Sequence, residues 1–195
     1  MPRLRILVIA GSVRTGSHNA ALAALAARRI EAAGGEARLT SLADFPVPLY
    51  DGDLQAEHGV PDGAHHLAAL LAEYDGVVIV SPEYNYSMPG NLKNLIDWLS
   101  RIKPWPTVGV NGMLMSASPG AVGGHRGLIA LRVPLEGLGA RLHPDMFCLA
   151  NADQAFTADG DLADEALGSR LDGMLGGFLD VVEATTHYRR EPVAA

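Results

Sequence analysis

Cysteine is almost absent from this chain of 195 residues. Cys148 is the only one, so no intramolecular disulfide can form. That fits a reducing compartment. Cys148 lies in the apolar run Met146-Phe147-Cys148-Leu149-Ala150, where a small buried hydrophobe is the expected role rather than a catalytic thiol. Basic charge is also short, with 15 Lys and Arg against 22 Asp and Glu. The net charge of −7 argues against a nucleic-acid binder, which needs a basic face to meet phosphates. Long hydrophobic runs are missing too. Thr15 to Ala27 is uncharged, but Gly, Ser, His and Asn break it and it cannot span a bilayer. The apolar run Ile6-Leu7-Val8-Ile9-Ala10 that follows Met1-Pro2-Arg3-Leu4-Arg5 is too short for a secretory signal. A cytoplasmic protein is expected. No internal repeat and no linker divides the chain, so a single domain over 1–186 with a flexible tail at 187–195 is expected.

Short apolar runs alternate with helical patterns, which is the signature of βαβ units and a parallel sheet. Leu4 to Ala10 reads as a strand buried on both faces. Ser17 can cap the next helix, which carries Leu22, Leu25, Ala26 and Ile30 on one face and stops at Gly34-Gly35. Glu36 to Leu42 is a less apolar strand, nearer an edge. Residues 43–63 are rich in Pro, Gly and Asp and read as a long loop. A helix from Asp62 through Tyr74, a strand Gly76–Val80 and a helix with Leu92, Leu95, Ile96 and Leu99 inside follow. Gly112–Ser116 and Arg141–Leu149 are the remaining strands, separated by a helical pattern that Pro134 kinks or divides. Leu162 to Ala184 is a final amphipathic helix containing Gly173, Gly176 and Gly177.

In open parallel sheets of order 2-1-3-4-5, ligands bind beyond the carboxyl ends of the strands, at the switch point between strands 1 and 3. The two most polar, most Gly- and Pro-marked loops follow those strands. The first is Gly11-Ser12-Val13-Arg14-Thr15-Gly16-Ser17-His18-Asn19, opening a helix. Free amides and the helix dipole favour an anion there, Ser12, Thr15, Ser17 and Asn19 add neutral donors, and Arg14 adds a charge. This is a phosphate cradle. It is not a P-loop, because Ser17-His18 stands where Lys-Ser/Thr is required, and no Gly-x-Gly-x-x-Gly occurs. The second loop, Ser81-Pro82-Glu83-Tyr84-Asn85-Tyr86-Ser87-Met88-Pro89-Gly90, offers a flat apolar surface with amide donors and acceptors. A planar heteroaromatic ring suits it. Glu83 as a general acid, or Tyr84 and Tyr86 as plugs of the sheet's end, are alternatives for the loop taken alone. The third loop, Ser116 to Gly127, is glycine-rich and permits close backbone approach to a ligand.

Residues 11–19 together with Pro82-Glu83-Tyr84-Asn85-Tyr86-Ser87-Met88-Pro89-Gly90-Asn91-Leu92-Lys93-Asn94-Leu95-Ile96-Asp97-Trp98 resemble the NADPH-dependent FMN reductase family, nearest its bacterial quinone and chromate reductase branch. The likeness extends to Pro48-Leu49-Tyr50-Asp51, Gly123-Gly124, Phe156 and Asp159-Gly160. The chain departs from the family where Gly109-Val110-Asn111-Gly112 stands in place of a frequent Gly-Lys-Pro, and at Pro134.

The resemblance implies a three-layer, flavodoxin-like, doubly wound parallel sheet of five strands. It implies FMN, with the phosphate held by Ser12, Arg14, Ser17 and Asn19 in the loop that also carries Thr15 and His18. The isoalloxazine ring would lie against Pro82, Glu83, Tyr84 and Asn85, with Ser116, Ser118, Gly120, Gly123 and Gly124 at its edge. NADPH or NADH would be the reductant, and a quinone, free flavin, chromate or similar small molecule the acceptor. The flavin carries such chemistry, so no side chain is named as catalytic; Tyr84 and Tyr86 shape the substrate face. The rivals are a flavodoxin-type electron carrier and a flavin-binding sensor without turnover. The resemblance also implies a homodimer or homotetramer, to which Asp97 and Trp98 are expected to contribute. His65-His66, Arg28-Arg29 and Arg189-Arg190 are expected to be solvated, and no metal site is expected.

Overall fold

The computed structural model describes residues 3–187. In chain order the elements are β1 (Arg5–Ala10), α1 (His18–Ala32), β2 (Glu36–Ser41), a 3-10 turn (Leu42–Asp44), α2 (Gly52–His58), α3 (Asp62–Glu73), β3 (Gly76–Val80), α4 (Gly90–Leu99), β4 (Asn111–Ala117), α5 (His125–Gly137), β5 (Arg141–Leu149) and α6 (Glu165–His187). All strand pairs are parallel and their order is β2-β1-β3-β4-β5, as the α/β reading requires.

The central strands are apolar throughout because both faces are covered. Strand residues alternate between two cores. Ile6 and Val8 of β1 pack with Leu22, Leu25 and Ile30 of α1 and with Leu171, Leu175 and Phe178 of α6. Leu7 and Ile9 face the other way, onto Leu67 and Leu70 of α3, Leu92, Leu95 and Leu99 of α4, and Leu128, Leu131 and Leu135 of α5. Three layers result, with β2 at one edge and β5 at the other. β5 bulges. Gly112 pairs with Leu142 and Leu114 with Met146, so His143, Pro144 and Asp145 stand opposite Met113 alone.

Several sequence expectations need correction. Residues 43–63 are not one loop, since they hold the 3-10 turn and α2. Asp51 caps α2 by accepting from Asp53 N (2.8 Å), and Gly59 ends it at φ 77°. No residue of α2 is buried, so it left no apolar period to read. α5 is one helix; Pro134 falls near its end and removes only the bond to the Ala130 carbonyl. α6 begins at Glu165, because Leu162 instead bridges Phe156 in a small hairpin and Asp164 accepts from Ala166 N (2.8 Å). Arg28 and Arg29 are not free charges. Arg28 donates to the Gly160 carbonyl (2.6 Å), and Arg29 holds both oxygens of Asp161 (2.6 and 2.9 Å) and one of Asp172 (3.2 Å). Trp98 is fully buried and donates to the Pro48 carbonyl (2.8 Å), so it anchors the loop before α2 and is no subunit contact. Asp97 pairs with Lys93 (2.7 Å). Of the proposed tail, His187 is the last residue of α6; 188–195, with Arg189-Arg190, lie outside the described residues.

Candidate functional site

The loops after β1, β3 and β4 meet at the carboxyl edge of the sheet. Gly11 N donates to the Val80 carbonyl (2.8 Å) and Ser81 N to the Met115 carbonyl (2.8 Å), so hydrogen bonding runs past the strands into the loops. A Cβ on Gly11 would lie 3.0 Å from the Val80 oxygen and 3.1 Å from Ser81 Cα. Glycine lets the loops after β1 and β3 approach this closely without crowding.

In the first loop the backbone N–H groups of residues 12–19 find no protein acceptor among the described residues. Ser12 and Ser17 are almost fully buried beneath them. Ser17 Oγ accepts from Ala20 N (3.4 Å) as the cap of α1, and its own hydrogen remains available. Arg14 is exposed and folds back to the carbonyls of Thr15 (3.3 Å) and Gly16 (3.2 Å). Unsatisfied amides at a helix N-terminus, with hydroxyls and one guanidinium, suit a phosphate monoester. Asn19 borders the cradle as expected, with its side-chain amide already engaged. It is buried, Nδ2 donates to the Ala117 carbonyl (2.8 Å), and Oδ1 accepts from Ala117 N (2.9 Å). Its amide thus ties the start of α1 to the end of β4 and shapes the cradle from behind.

The second loop is a tight hairpin in which Tyr84 and Ser87 exchange backbone bonds (2.9 and 3.0 Å) around Asn85 and Tyr86. Those two central residues have φ of 50° and 65°, the left-handed pair that a type I′ turn demands. Tyr84 and Tyr86 stand outward, 52% and 69% exposed. They do not plug the end of the sheet. Glu83 turns inward and is 14% exposed. Its Oε2 accepts from Gly127 N (3.0 Å), and its Oε1 lies 3.4 Å from Arg126 Nε. Gly124, the N-cap residue of α5, has no side chain to cap with, so Glu83 supplies the acceptor from a neighbouring loop. A Cβ on Gly127 would sit 3.0 Å from Glu83 Cα and Cβ, which fixes how closely the hairpin packs on α5.

The third loop brings Ser118 and the backbone of Gly120, Gly123 and Gly124 to the same edge. Gly124 has φ 83°, and a Cβ there would come within 1.9 Å of Ser116 Oγ. Ser116 itself is fully buried under Gly124 with its hydroxyl unpaired. It supports the loop floor and does not face the cleft, contrary to expectation. Two adjoining clefts result. One is lined by Ser12, Arg14, Ser17, His18, Asn19, Pro82 and Tyr84. The other is lined by Asn85, Tyr86, Ser118, Gly120, Val122 and Arg126. Glu83 and Ser118 border both, so the cradle and the ring-side cleft are continuous.

Sequence reasoning missed Arg126, Gly127 and the Ala117 peptide. The glycine run containing Gly127 was a usable signal; the other two act through cross-loop contacts that spacing does not show. Elsewhere, His65 and His66 are exposed, and no group of metal-binding side chains occurs among the described residues. Cys148 is half-buried, 3.7 Å from His125 Nδ1, and burial pushes its thiol pKa up, away from a reactive thiolate.

A three-layer sheet in this order, with unpartnered amides after β1 and a flat hairpin after β3, defines a flavodoxin-like protein. The flavoenzyme NAD(P)H:(acceptor) oxidoreductase FerB from Paracoccus denitrificans superposes with a TM-score of 0.80 at 29% identity, covering 93% of this chain and 98% of that one. A Pseudomonas aeruginosa flavodoxin shares the fold alone, with TM-score 0.54 and 17% identity over 92% and 99% of the two chains. Residues 4–154 match the NADPH-dependent FMN reductase family, and the chain belongs to it. It is 36% identical over 183 residues to a quinone reductase of Escherichia coli K12, covering 93% and 96% of the two chains. It is 34% identical over 163 residues to an NAD(P)H-dependent FMN reductase of Pseudomonas aeruginosa, covering 83% and 86%.

Proposed function

We propose that this family member holds FMN across the two clefts and moves reducing equivalents from NAD(P)H to a small acceptor such as a quinone, free flavin or chromate. The observation that carries the reading is the row of unpartnered amides at 12–19, at the switch point of the sheet. Ser12, Arg14, Thr15, Ser17 and His18 would surround the phosphate, with Asn19 holding the loop in shape. Pro82, Glu83, Tyr84 and Asn85 would carry the ring, with Ser118, Gly120, Gly123 and Gly124 along its edge. Bound FMN supplies hydride acceptance and onward electron delivery. The chain's own residues would orient the ring, with the exposed Tyr84 and Tyr86 bordering the side where substrates approach. No side-chain acid or base is needed.

Chromatography of flavin released from purified protein should give FMN rather than FAD. Steady NADPH oxidation with a quinone present separates this reading from a carrier or sensor, which would show negligible turnover. Reductant and acceptor share one open cleft in turn, so double-reciprocal plots at several fixed acceptor concentrations should be parallel. Intersecting plots would require two separate sites. Tyr84→Ala should lower turnover by up to about 100-fold through ring misplacement of ~1 Å, with an unchanged pH profile.

A homodimer or homotetramer belongs to the same reading. Its support is Leu49, 82% exposed yet carried on a loop that Trp98 and Asn94 both fix through the Pro48 carbonyl. Light scattering at micromolar concentration showing a monomer would remove it. Among the described residues no helix is long and apolar enough to cross a membrane. A cytoplasmic location, where reduced nicotinamides are supplied, completes the proposal.

A further inference from the structure

We infer that Arg126 is the residue that selects the hydride donor by its phosphates. This rests on the reading of the chain as a nicotinamide-oxidising flavoprotein.

The clefts have few cations. Among the residues lining them, Arg14 and Arg126 are the guanidinium groups. Arg14 stands at the cradle with its terminal nitrogens on the loop's own carbonyls. Arg126 therefore provides the permanent positive charge on the ring-side cleft. It is held on two sides. Its guanidinium carbon lies 4.5 Å over the Tyr86 ring, and its Nε is 3.4 Å from Glu83 Oε1. Glu83 is in turn fixed by Gly127 N. The contacts use the inner edge and one face of the guanidinium. The two terminal nitrogens have no protein partner among the described residues, and the side chain is 48% exposed. A planar fork pinned by a stacked ring and a single ion pair, with its outer edge open, is pre-organised for a phosphate.

Charge favours such a point. The protein carries a net −7, and a nicotinamide dinucleotide brings several negative charges of its own. Without a local cation at the mouth, the long-range field opposes approach. Tyr86 reaches this point from the type I′ turn. Its left-handed φ of 65° is unfavourable for an aromatic residue. That conformation sets the ring where it supports Arg126.

The test compares NADPH with dihydronicotinamide riboside, which keeps the reacting ring and lacks phosphate, using a neutral quinone as acceptor throughout. In Arg126→Leu holoenzyme the ratio of kcat/KM for NADPH to that for the riboside should fall by roughly ten-fold or more, since a charge-assisted bidentate contact is lost. In Arg126→Lys, which keeps the charge but not the fork, the ratio should fall less. Flavin content is measured alongside. Ring misplacement alone lowers both donors together, so an unchanged ratio in flavin-loaded Arg126→Leu overturns the assignment. A change confined to an anionic acceptor, with donor discrimination intact, overturns it equally. If the wild-type protein oxidises neither donor, the underlying functional reading falls as well, which distinguishes the two failures.

Discussion

A carboxamide can donate to and accept from the same peptide group, and Asn19 uses both ends on Ala117. That reciprocity needs one N–H and one oxygen in fixed positions inside a buried pocket. Asn19→Asp puts an oxygen where Nδ2 meets the Ala117 carbonyl. The variant should lose about 1–3 kcal/mol of stability in urea unfolding, and its FMN affinity should fall with it because the cradle's back wall opens. A variant of unchanged stability that merely bound FMN more weakly would restore Asn19 as a direct phosphate ligand. From sequence, the position was recognised and its partner was not. An Asn beside a capping Ser reads the same whether it points to a ligand or to a strand a hundred residues away. Ser116 taught the same lesson in reverse. It reads as one more polar residue in a glycine-rich loop, and its burial follows from Gly124 arching over it.

Elements with a buried face were legible. α1, α3 and α4 repeat their apolar residues at helical spacing because each covers the sheet, and β3 matched its span residue for residue. Elements without one were not: α2 exists through its Asp51 cap and its glycine exit. The hairpin at 156–162 was equally hidden, since its anchors, Arg28 and Arg29, lie on α1 and look solvated in a linear reading. Those anchors give a pH dependence. The Leu162 N–H first, and Arg29 second, hold the Asp161 carboxyl below the usual carboxylate range. A lowered folded pKa contributes stability above the unfolded value, near 4, and loses it as pH falls through the folded one. The pair is partly exposed, so the effect is small. Thermal unfolding from pH 6 to pH 3 should show Arg29→Met less stable than wild type at the upper end, the gap closing on acidification. Parallel curves would show that the ion pair does not stabilise the hairpin.

For the whole molecule, strand order and the location of the site followed from where the polar loops fall among apolar strands, because a doubly wound sheet leaves one crevice at its switch point. Contacts between loops did not follow. Glu83 reaching Gly127 and Arg126 depends on α5 arriving beside the hairpin, which only the assembled sheet decides. The sheet's own margins carry a last consequence. At β5 the His143–Asp145 bulge places Pro144, which has no N–H to offer, on the outer rim, and β2 at the opposite rim is six residues long and bears Glu36 and Arg38. Both rims are thus blunted against pairing with another strand. Among the described residues, assembly of copies is therefore favoured through helices and loops rather than by continuing the sheet.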